Sequence, residues 1–438
     1  MHLETIGHAS LLLSLKNKKP LLMTDPWIVG SAYWRSWWLQ NYPTKEVLDN
    51  IAKIPFVYVT HEHPDHMHTP SLKRFETQTK FLFPDLPQRG FETYMKGNNY
   101  NYQTLEILNW VKISPDVQLL SIPLWNDDSI LLINTKNAFI INLNDAKPSN
   151  ITLRWIKKIR KNFYKKTIML SSYSPASIVN SFRRKGEELS IKSKEDYVKY
   201  LNYVCNFIEP DYFVPFASQV IFRREDSKWA NQHKVTINDL QKYWQSKTKL
   251  LNPYSKINLS TFEVSYLDEK DYNPPSKISK ELASKKEFEE RNEIISNKEI
   301  EKLSAKLKKF SLIFRYLFPN GLGLKLDDSS FVINWKKRKI IEKGTSPNVD
   351  FTIDVPTGAM KDAINFNHIG DLGITMFTIV HLSDDTKLSP KRIYLFLILL
   401  TLDDYNHTKN LGSFLNWVKS NLSLLFKILF FPLPLIKG

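Results

Sequence analysis

Cysteine is almost missing: Cys205 is the only one in 438 residues. An internal disulfide and a cysteine-ligated iron–sulfur cluster are therefore excluded for this sequence. That scarcity fits a reducing compartment, and we expect a cytoplasmic protein. Long apolar runs are also missing, since none reaches the roughly 18–20 residues that span a bilayer. The nearest, "LSLLFKILFFPLPLIKG" (422–438), is interrupted by Lys427 and carries Pro432 and Pro434. Docking of this tail on the protein is the expectation, and a membrane surface met through residues 422–436 is the alternative. No signal peptide is expected, because Met1-His2-Leu3-Glu4-Thr5 runs straight into a strand. No internal repeat is visible. Acidic side chains run short, 45 against 61 Lys and Arg, for a net charge of +16. An anionic partner would explain that excess. The basic residues are nevertheless spread over separate clusters, "KNKK" (16–19), "RWIKKIRKNFYKK" (154–166) and "NWKKRK" (334–339), which reads as solvated surface.

The length predicts two domains. Residues 1–265 alternate short strands and helices. "ASLLLSL" (9–15) and "KPLLMTD" (19–25) read as a strand pair, and "PFVYVT" (55–60) as a buried strand. "SLKRFETQT" (71–79) reads as a helix after Thr69-Pro70. "SILLINTKNAFIINLND" (129–145) reads as a hairpin, "TIMLSSY" (167–173) as a strand, "KEDYVKYLNYVCNFIE" (194–209) as a helix and "DYFVPFAS" (211–218) as a strand. Residues 266–309 are charged and helix-prone, a linker with surface helices. Residues 310–420 form a smaller α/β unit with strands in 329–344 and 349–356 and a helix at 357–366. Residues 421–438 are the apolar tail.

Four of the ten histidines lie in "THEHPDHMH" (60–68), just after the buried strand. In an extended loop start, His61 and His63 project the same way. Asp65 and His66 follow on a turn fixed by Pro64. Imidazole and carboxylate together suit zinc, iron or manganese. Such an ion would lower the pKa of a bound water enough to supply hydroxide at neutral pH. His68 falls outside the spacing and is read as a surface residue.

The His-x-His-x-Asp-His pattern after a strand resembles the metallo-β-lactamase fold, a four-layer αββα sandwich with metals at the sheet edges. The order "IGHASLLL" (6–13), "LLMTDPW" (21–27), histidine motif, "INLND" (141–145) agrees. The likeness is closer to CMP-N-acetylneuraminate hydroxylases. It is carried by "TDPWIVGSAYWRSWWLQNYP" (24–43), "YVTHEHPDHMHTPSLKRF" (58–75), "NLNDAKPSN" (142–150) and "PDYFVPFASQVIFRREDSKWANQHKVTINDL" (210–240). The resemblance covers most of 1–265. It implies metal ligands His61, His63, Asp65, His66 and Asp145, with His8 and Asp25 orienting them from outside. It implies one or two divalent ions, with zinc as the expected metal and iron or manganese as alternatives. Two departures stand out. Those hydroxylases carry a Rieske domain that the single cysteine here cannot build. They also have a histidine where this sequence has Leu124, and Asn126, Asp127 or Asp128 are the candidate replacements. A fainter likeness of 310–405 to sterol-carrier folds, prompted by "VDFTIDVPTGAMKDAI" (349–364), implies a hydrophobic pocket or a dimer surface in the second unit.

The expected activity is hydrolysis of a phosphoester, lactone or amide, with Asp65 as ligand and catalytic residue. The resemblance implies a small anionic substrate, a nucleotide sugar or acylated sugar. Trp27, Arg35 and Trp38 are candidates to wall the substrate, and Arg223 and Arg224 to clamp its phosphate. Two alternatives are the metal-containing partner of a separate Rieske protein and a binding module that has lost a metal. A nucleic-acid partner is not expected, because nucleases of this fold need further histidine motifs downstream. His233 is read as a surface residue and Cys205 as inert core.

Overall fold

A computed structural model describes residues 1–86, 90–124, 128–175, 181–189, 192–266, 272–384 and 388–430. Two sheets dominate the N-terminal unit. The first has eight strands in the order Val264–Tyr266, Ser255–Asn258, His2–Ile6, Ser10–Ser14, Pro20–Thr24, Phe56–Tyr58, Lys80–Pro84, Tyr102–Leu105. The second has seven: Trp110–Ser114, Val117–Pro123, Ser129–Thr135, Ala138–Asn144, Lys166–Ser172, Tyr212–Phe216, Lys249–Leu250. Leu3, Leu13, Leu22 and Tyr58 of the first sheet share one buried cluster with Leu131, Ile140, Ile168 and Val214 of the second, so the sheets pack face to face.

Each outer face is covered by helices. Phe91 and Met95 of the Gly90–Gly97 helix pack with Val57 and Phe81 on the first sheet. Trp155 and Ile156 of Asn150–Arg160, and Leu201, Val204 and Cys205 of Lys194–Ile208, cover the second. Strands buried on both faces must be apolar throughout, and Ser129–Thr135 and Ala138–Asn144 are nearly so. The result is an αββα sandwich, the layer order expected from the sequence.

Strand pairing puts the motif ends on one rim. Pro20–Thr24 and Phe56–Tyr58 run parallel with Met23 beside Val57, so Asp25 and the histidine loop leave the same sheet end. In the second sheet, Ala138–Asn144 runs parallel to Lys166–Ser172. It ends at Asn144, whose left-handed backbone (φ 56°) turns the chain into Asp145.

The expected hairpins at 9–25 and 129–145 form as antiparallel pairs. The helix expected over 71–79 is a correction: it spans only Thr69–Leu72. Beyond it Phe75 enters the core, Glu76 N–H donates to Ala52 O and Thr79 Oγ1 donates to Ile54 O. These tertiary bonds take the backbone out of helical geometry. The stretch 266–309 holds two helices, Lys277–Arg291 and Asn297–Lys308.

A third sheet follows the order Glu187–Glu188, Phe182–Arg184, Ile379–Leu382, Phe351–Asp354, Leu322–Lys325, Ser330–Ile333, Ile341–Lys343. Its first two strands come from the middle of the N-terminal unit. A contiguous division at 265 therefore does not describe how the sheets share the chain. The tail begins as a helix, Leu411–Phe430, that packs against Asn150–Arg160; residues 431–438 lie outside those described. No helix among the described residues is long and apolar enough to cross a membrane.

Candidate metal centre

Six donor residues converge at the rim in two groups, His8–Asp65–His66 and His61–His63–Asp145, with the ligand atoms of each group within 4.8 Å of one another. His8 follows the first strand. Gly7 turns there with φ +61°, and a Cβ on it would meet Trp27 O at 2.6 Å, so only glycine fits this entry to the site. The turn brings His8 Nε2 to 3.1 Å from Asp65 Oδ2. His66 Nε2 lies 3.3 Å from the same Asp65 oxygen and 3.7 Å from Asp145 Oδ2, linking the groups. His61 Nε2 is 2.8 Å from His63 Nδ1 and 3.9 Å from Asp145 Oδ2.

Buried neighbours fix the opposite sides of these rings. His61 Nδ1 faces Thr60 Oγ1 at 3.0 Å and Asp128 Oδ1 at 3.4 Å. His66 Nδ1 faces Asp25 Oδ2 at 3.5 Å and Asn144 Nδ2 at 3.3 Å. Asp25 in turn accepts from Thr60 N–H at 2.8 Å. Tyr33 donates its hydroxyl to Asp65 Oδ1 at 2.6 Å. Glu62, between the two histidines, is engaged elsewhere: it accepts from Phe91 N–H at the start of the Gly90–Gly97 helix.

The electrostatics favour a cation. Burial alone would raise Asp65, but His66 and His8 hold it well below the usual carboxylate range. Burial likewise opposes ionisation of Asp145, and His61 and His66 outweigh it. Burial alone would lower His66, but Asp65 and Asp145 hold its pKa well above normal. Burial pushes His61 well down, helped by the charge on His66, and burial lowers His63. Asp65 and Asp145 are thus held towards the ionised form beside a single raised imidazole, His66, an arrangement that favours a cation.

The residues present fit divalent ions. His66 Nε2 and Asp145 Oδ1 are buried without a hydrogen-bond partner, an arrangement that costs about 1–3 kcal/mol per atom unless something else satisfies it. Imidazole and carboxylate donors in groups of three suit zinc, iron or manganese.

Several expectations change. His8, expected to orient ligands from outside, has its Nε2 among the donor atoms themselves. Asp25 does sit behind a ligand ring, against His66 Nδ1. His68 is buried rather than on the surface, its ring set between Ser71 Oγ at 2.8 Å and Ser31 O at 3.2 Å. Burial lowers its pKa to about 4. Leu124 adds no donor, and Trp125, Asn126 and Asp127 lie outside the described residues. Asp128 faces the outer nitrogen of His61, so it orients that ring. Arg224 is no phosphate clamp: it is fully buried, paired with Glu290 and Asp226 and laid over the Phe377 ring. Trp27 is fully buried against His8 and His68, and Trp38 is buried with its Nε1–H on Arg35 O, so neither walls a substrate. Arg223 donates to Pro275 O. His233 pairs with Glu188. Cys205 is buried core, its thiol pushed up by that burial.

Arg35 keeps a place beside the centre. It lines a cleft of about 570 Å³ with Tyr33, Trp34, Pro64, His68 and Asp371. Tyr33, Trp34 and Arg35 form a left-handed turn, φ 49°, 53° and 60°. Three such residues in succession are strained, and strain of this kind collects at functional sites. The turn sends Tyr33 to Asp65 and Trp34 to Asp362 and His368 of the C-terminal unit. Sequence reasoning missed Tyr33, since nothing in "SAYWR" announces a left-handed run.

Two outcomes follow. Asp25→Asn should weaken metal affinity about 10–100-fold while the ion count at saturation stays the same, as for other loss of a group behind a ligand imidazole; titration against a chelator measures it. Asp371, partly buried, is pushed up to about 8 by burial, with Asp404 and Asp65 adding to it. The folded chain therefore keeps this proton up to about pH 8, whereas the unfolded chain releases it near pH 4, so stability falls as pH climbs between the two. Asp371→Asn removes that loss. It should stabilise the chain by roughly 2–4 kcal/mol at pH 8–9, after discounting for partial exposure, and leave it unchanged near pH 3.5 in denaturant titrations.

No family model matches the sequence. The chain is similar to cytidine monophosphate-N-acetylneuraminic acid hydroxylases: 23% identical over 238 residues to that of Danio rerio, covering 49% of this chain and 37% of the relative. Against the Xenopus laevis enzyme it is 22% identical over 249 residues, covering 52% and 39%. The chain thus spans well under half the length of these relatives. Among solved structures it is similar to CmlA, a diiron β-hydroxylase from Streptomyces venezuelae, at 14% identity and TM-score 0.39, covering 61% of this chain and 54% of that one. It is also similar to Igni18, a metallo hydrolase from Ignicoccus hospitalis, at 12% identity and TM-score 0.36, covering 61% and 99%.

Proposed function

We propose that the chain is a metal-dependent hydrolase acting on a phosphoester, lactone or amide of a small anionic molecule, a nucleotide sugar or acylated sugar. The observation that carries this reading is the pair of three-donor groups, in which His66 Nε2 and Asp145 Oδ1 are buried without a hydrogen-bond partner. His8, Asp65 and His66 would hold one ion and His61, His63 and Asp145 the other. Bound there, a divalent metal supplies Lewis acidity and an acidified water at neutral pH.

The protein's own groups do the rest. Tyr33 fixes the orientation of Asp65 by occupying Oδ1, which leaves Oδ2 to face His8 and His66. Asp145, whose side chain is 31% exposed, marks the open side of the centre. Arg35 at the adjoining cleft offers the cation for an anionic substrate, and Trp34 offers an aromatic wall.

The test is a panel of aryl phosphodiesters, lactones and O- and N-acylated sugars, assayed with chain that has been stripped and then reloaded with zinc, iron or manganese. Metal-dependent turnover on one bond class is expected. The similarity to hydroxylases favours a second reading, a metal-containing partner of a separate Rieske protein. Absence of hydrolysis with every metal, together with oxygen uptake once an iron-loaded chain meets a Rieske protein and reductant, would replace the first reading with the second.

A further inference from the structure

The Leu411–Phe430 helix raises a question that the metal centre does not answer. Placed at 100° per residue, Leu411, Phe414, Leu415, Leu422 and Leu425 fall within an arc of about 120° on one side. All five are exposed, Leu411 at 73%, Leu415 at 54% and Leu422 at 61%. Trp417 lies outside that arc; it is partly buried and contacts His407. The helix thus meets the Asn150–Arg160 helix while keeping a continuous apolar stripe in water. A stripe of this size on a surface helix marks an interaction face.

Charge identifies what the face meets. From Tyr405 to Gly438 the sequence has four lysines and no aspartate or glutamate. The supporting segment 150–166 has five lysines, two arginines and no acid. Lys157 and Lys166 pair with Glu209 and Asp211, while Arg154, Lys158 and Lys161, spaced along one side of that helix, are exposed. An apolar stripe beside a helix whose Arg154, Lys158 and Lys161 are exposed, with Glu209 and Asp211 engaged by Lys157 and Lys166, is complementary to a bilayer whose headgroups are anionic. No helix among the described residues is long and apolar enough to cross a membrane, and this one has the composition to lie in the interface.

We propose that the Leu411–Phe430 helix seats the protein on anionic membrane surfaces, with its leucine stripe in the acyl boundary and the basic residues of 150–166 at the headgroups. This depends neither on the reaction catalysed nor on whether metal is bound.

The experiment is flotation of the full chain with vesicles of neutral phosphatidylcholine and of phosphatidylcholine with 30% phosphatidylglycerol. Binding to the anionic vesicles alone is expected, weakening at least about tenfold when salt rises from 0.1 to 0.5 M. Leu415→Glu/Leu422→Glu should cut partitioning at least about tenfold. Both side chains are exposed, so an unchanged melting temperature and metal content will show that the fold is kept. Arg154→Glu/Lys158→Glu/Lys161→Glu should reduce binding to anionic vesicles to a similar degree. Failure of the wild-type chain to float with anionic vesicles, or equal flotation of the leucine variant, would overturn the proposal. So would a wild-type dimer that ignores vesicles and becomes monomeric in the leucine variant, which would assign the stripe to a second copy of this chain.

Discussion

Saturating the metal-stripped chain with its cognate ion should raise the melting temperature by about 5–10 °C. At a free concentration one hundred times the dissociation constant, an ion bound only by the folded state adds about 2.7 kcal/mol. For a unit of this size each kcal/mol moves the midpoint by about 2–4 °C. The physical source is local. Without an ion, His66 Nε2 and Asp145 Oδ1 are buried and unsatisfied, and Asp65 and Asp145 are held towards the ionised form beside a single raised imidazole, His66. A divalent ion satisfies the unpaired atoms and offsets the carboxylate charge. Differential scanning calorimetry with stepwise zinc, manganese or anaerobic ferrous iron measures the shift, and the ion giving the largest one identifies the preferred metal.

The second large effect concerns His66. Fully buried, it touches both donor groups and Asp25. His66→Ala removes the largest of the influences that hold Asp65 down, beside His8, and the second of those that hold Asp145 down, after His61. Breaking a buried pair in this way costs about 3–5 kcal/mol. The sign of the pH dependence follows. A carboxylate with a depressed folded pKa contributes stability that is present above its unfolded value and lost as pH falls through the folded one. The raised pKa of His66 adds stability that is full below its unfolded value of about 6.5 and is lost as pH rises towards the folded one, so the gap between wild type and variant should be full near pH 5–6, decline above that, and shrink below about pH 4, where the carboxylates take up protons. Chemical denaturation of both metal-free chains at pH 6 and pH 3.5 reads it. The same variant should bind no more than one ion, because His66 is the link between the two groups.

The histidine loop was legible because its chemistry is local. His61, His63, Asp65 and His66 sit in six residues after a strand, and strand geometry dictates where they point. Asp145 was legible only through resemblance, as its strand belongs to the other sheet. His8 was underrated, because its reach depends on a glycine turn and on the approach of Trp27, which no local pattern shows. Arg224 was misread for a related reason. Its partner Glu290 is 66 residues away, and a buried ion pair looks in sequence like any two surface charges. The strands of the sandwich were readable from β-branched and apolar runs. The Phe182–Arg184 strand was not, since its partner Ile379–Leu382 lies almost two hundred residues on. The 71–79 helix failed because side-chain and backbone bonds to Ala52 and Ile54 outweighed helix propensity there.

The central claim is that His8–Asp65–His66 and His61–His63–Asp145 are two neighbouring ion sites. Metal content per chain by mass spectrometry, on wild type, His8→Ala and His61→Ala/His63→Ala, tests it most directly. The account predicts two ions in wild type and one in each variant. Wild type that holds no ion after reconstitution, or variants that bind as many ions as wild type, would contradict it.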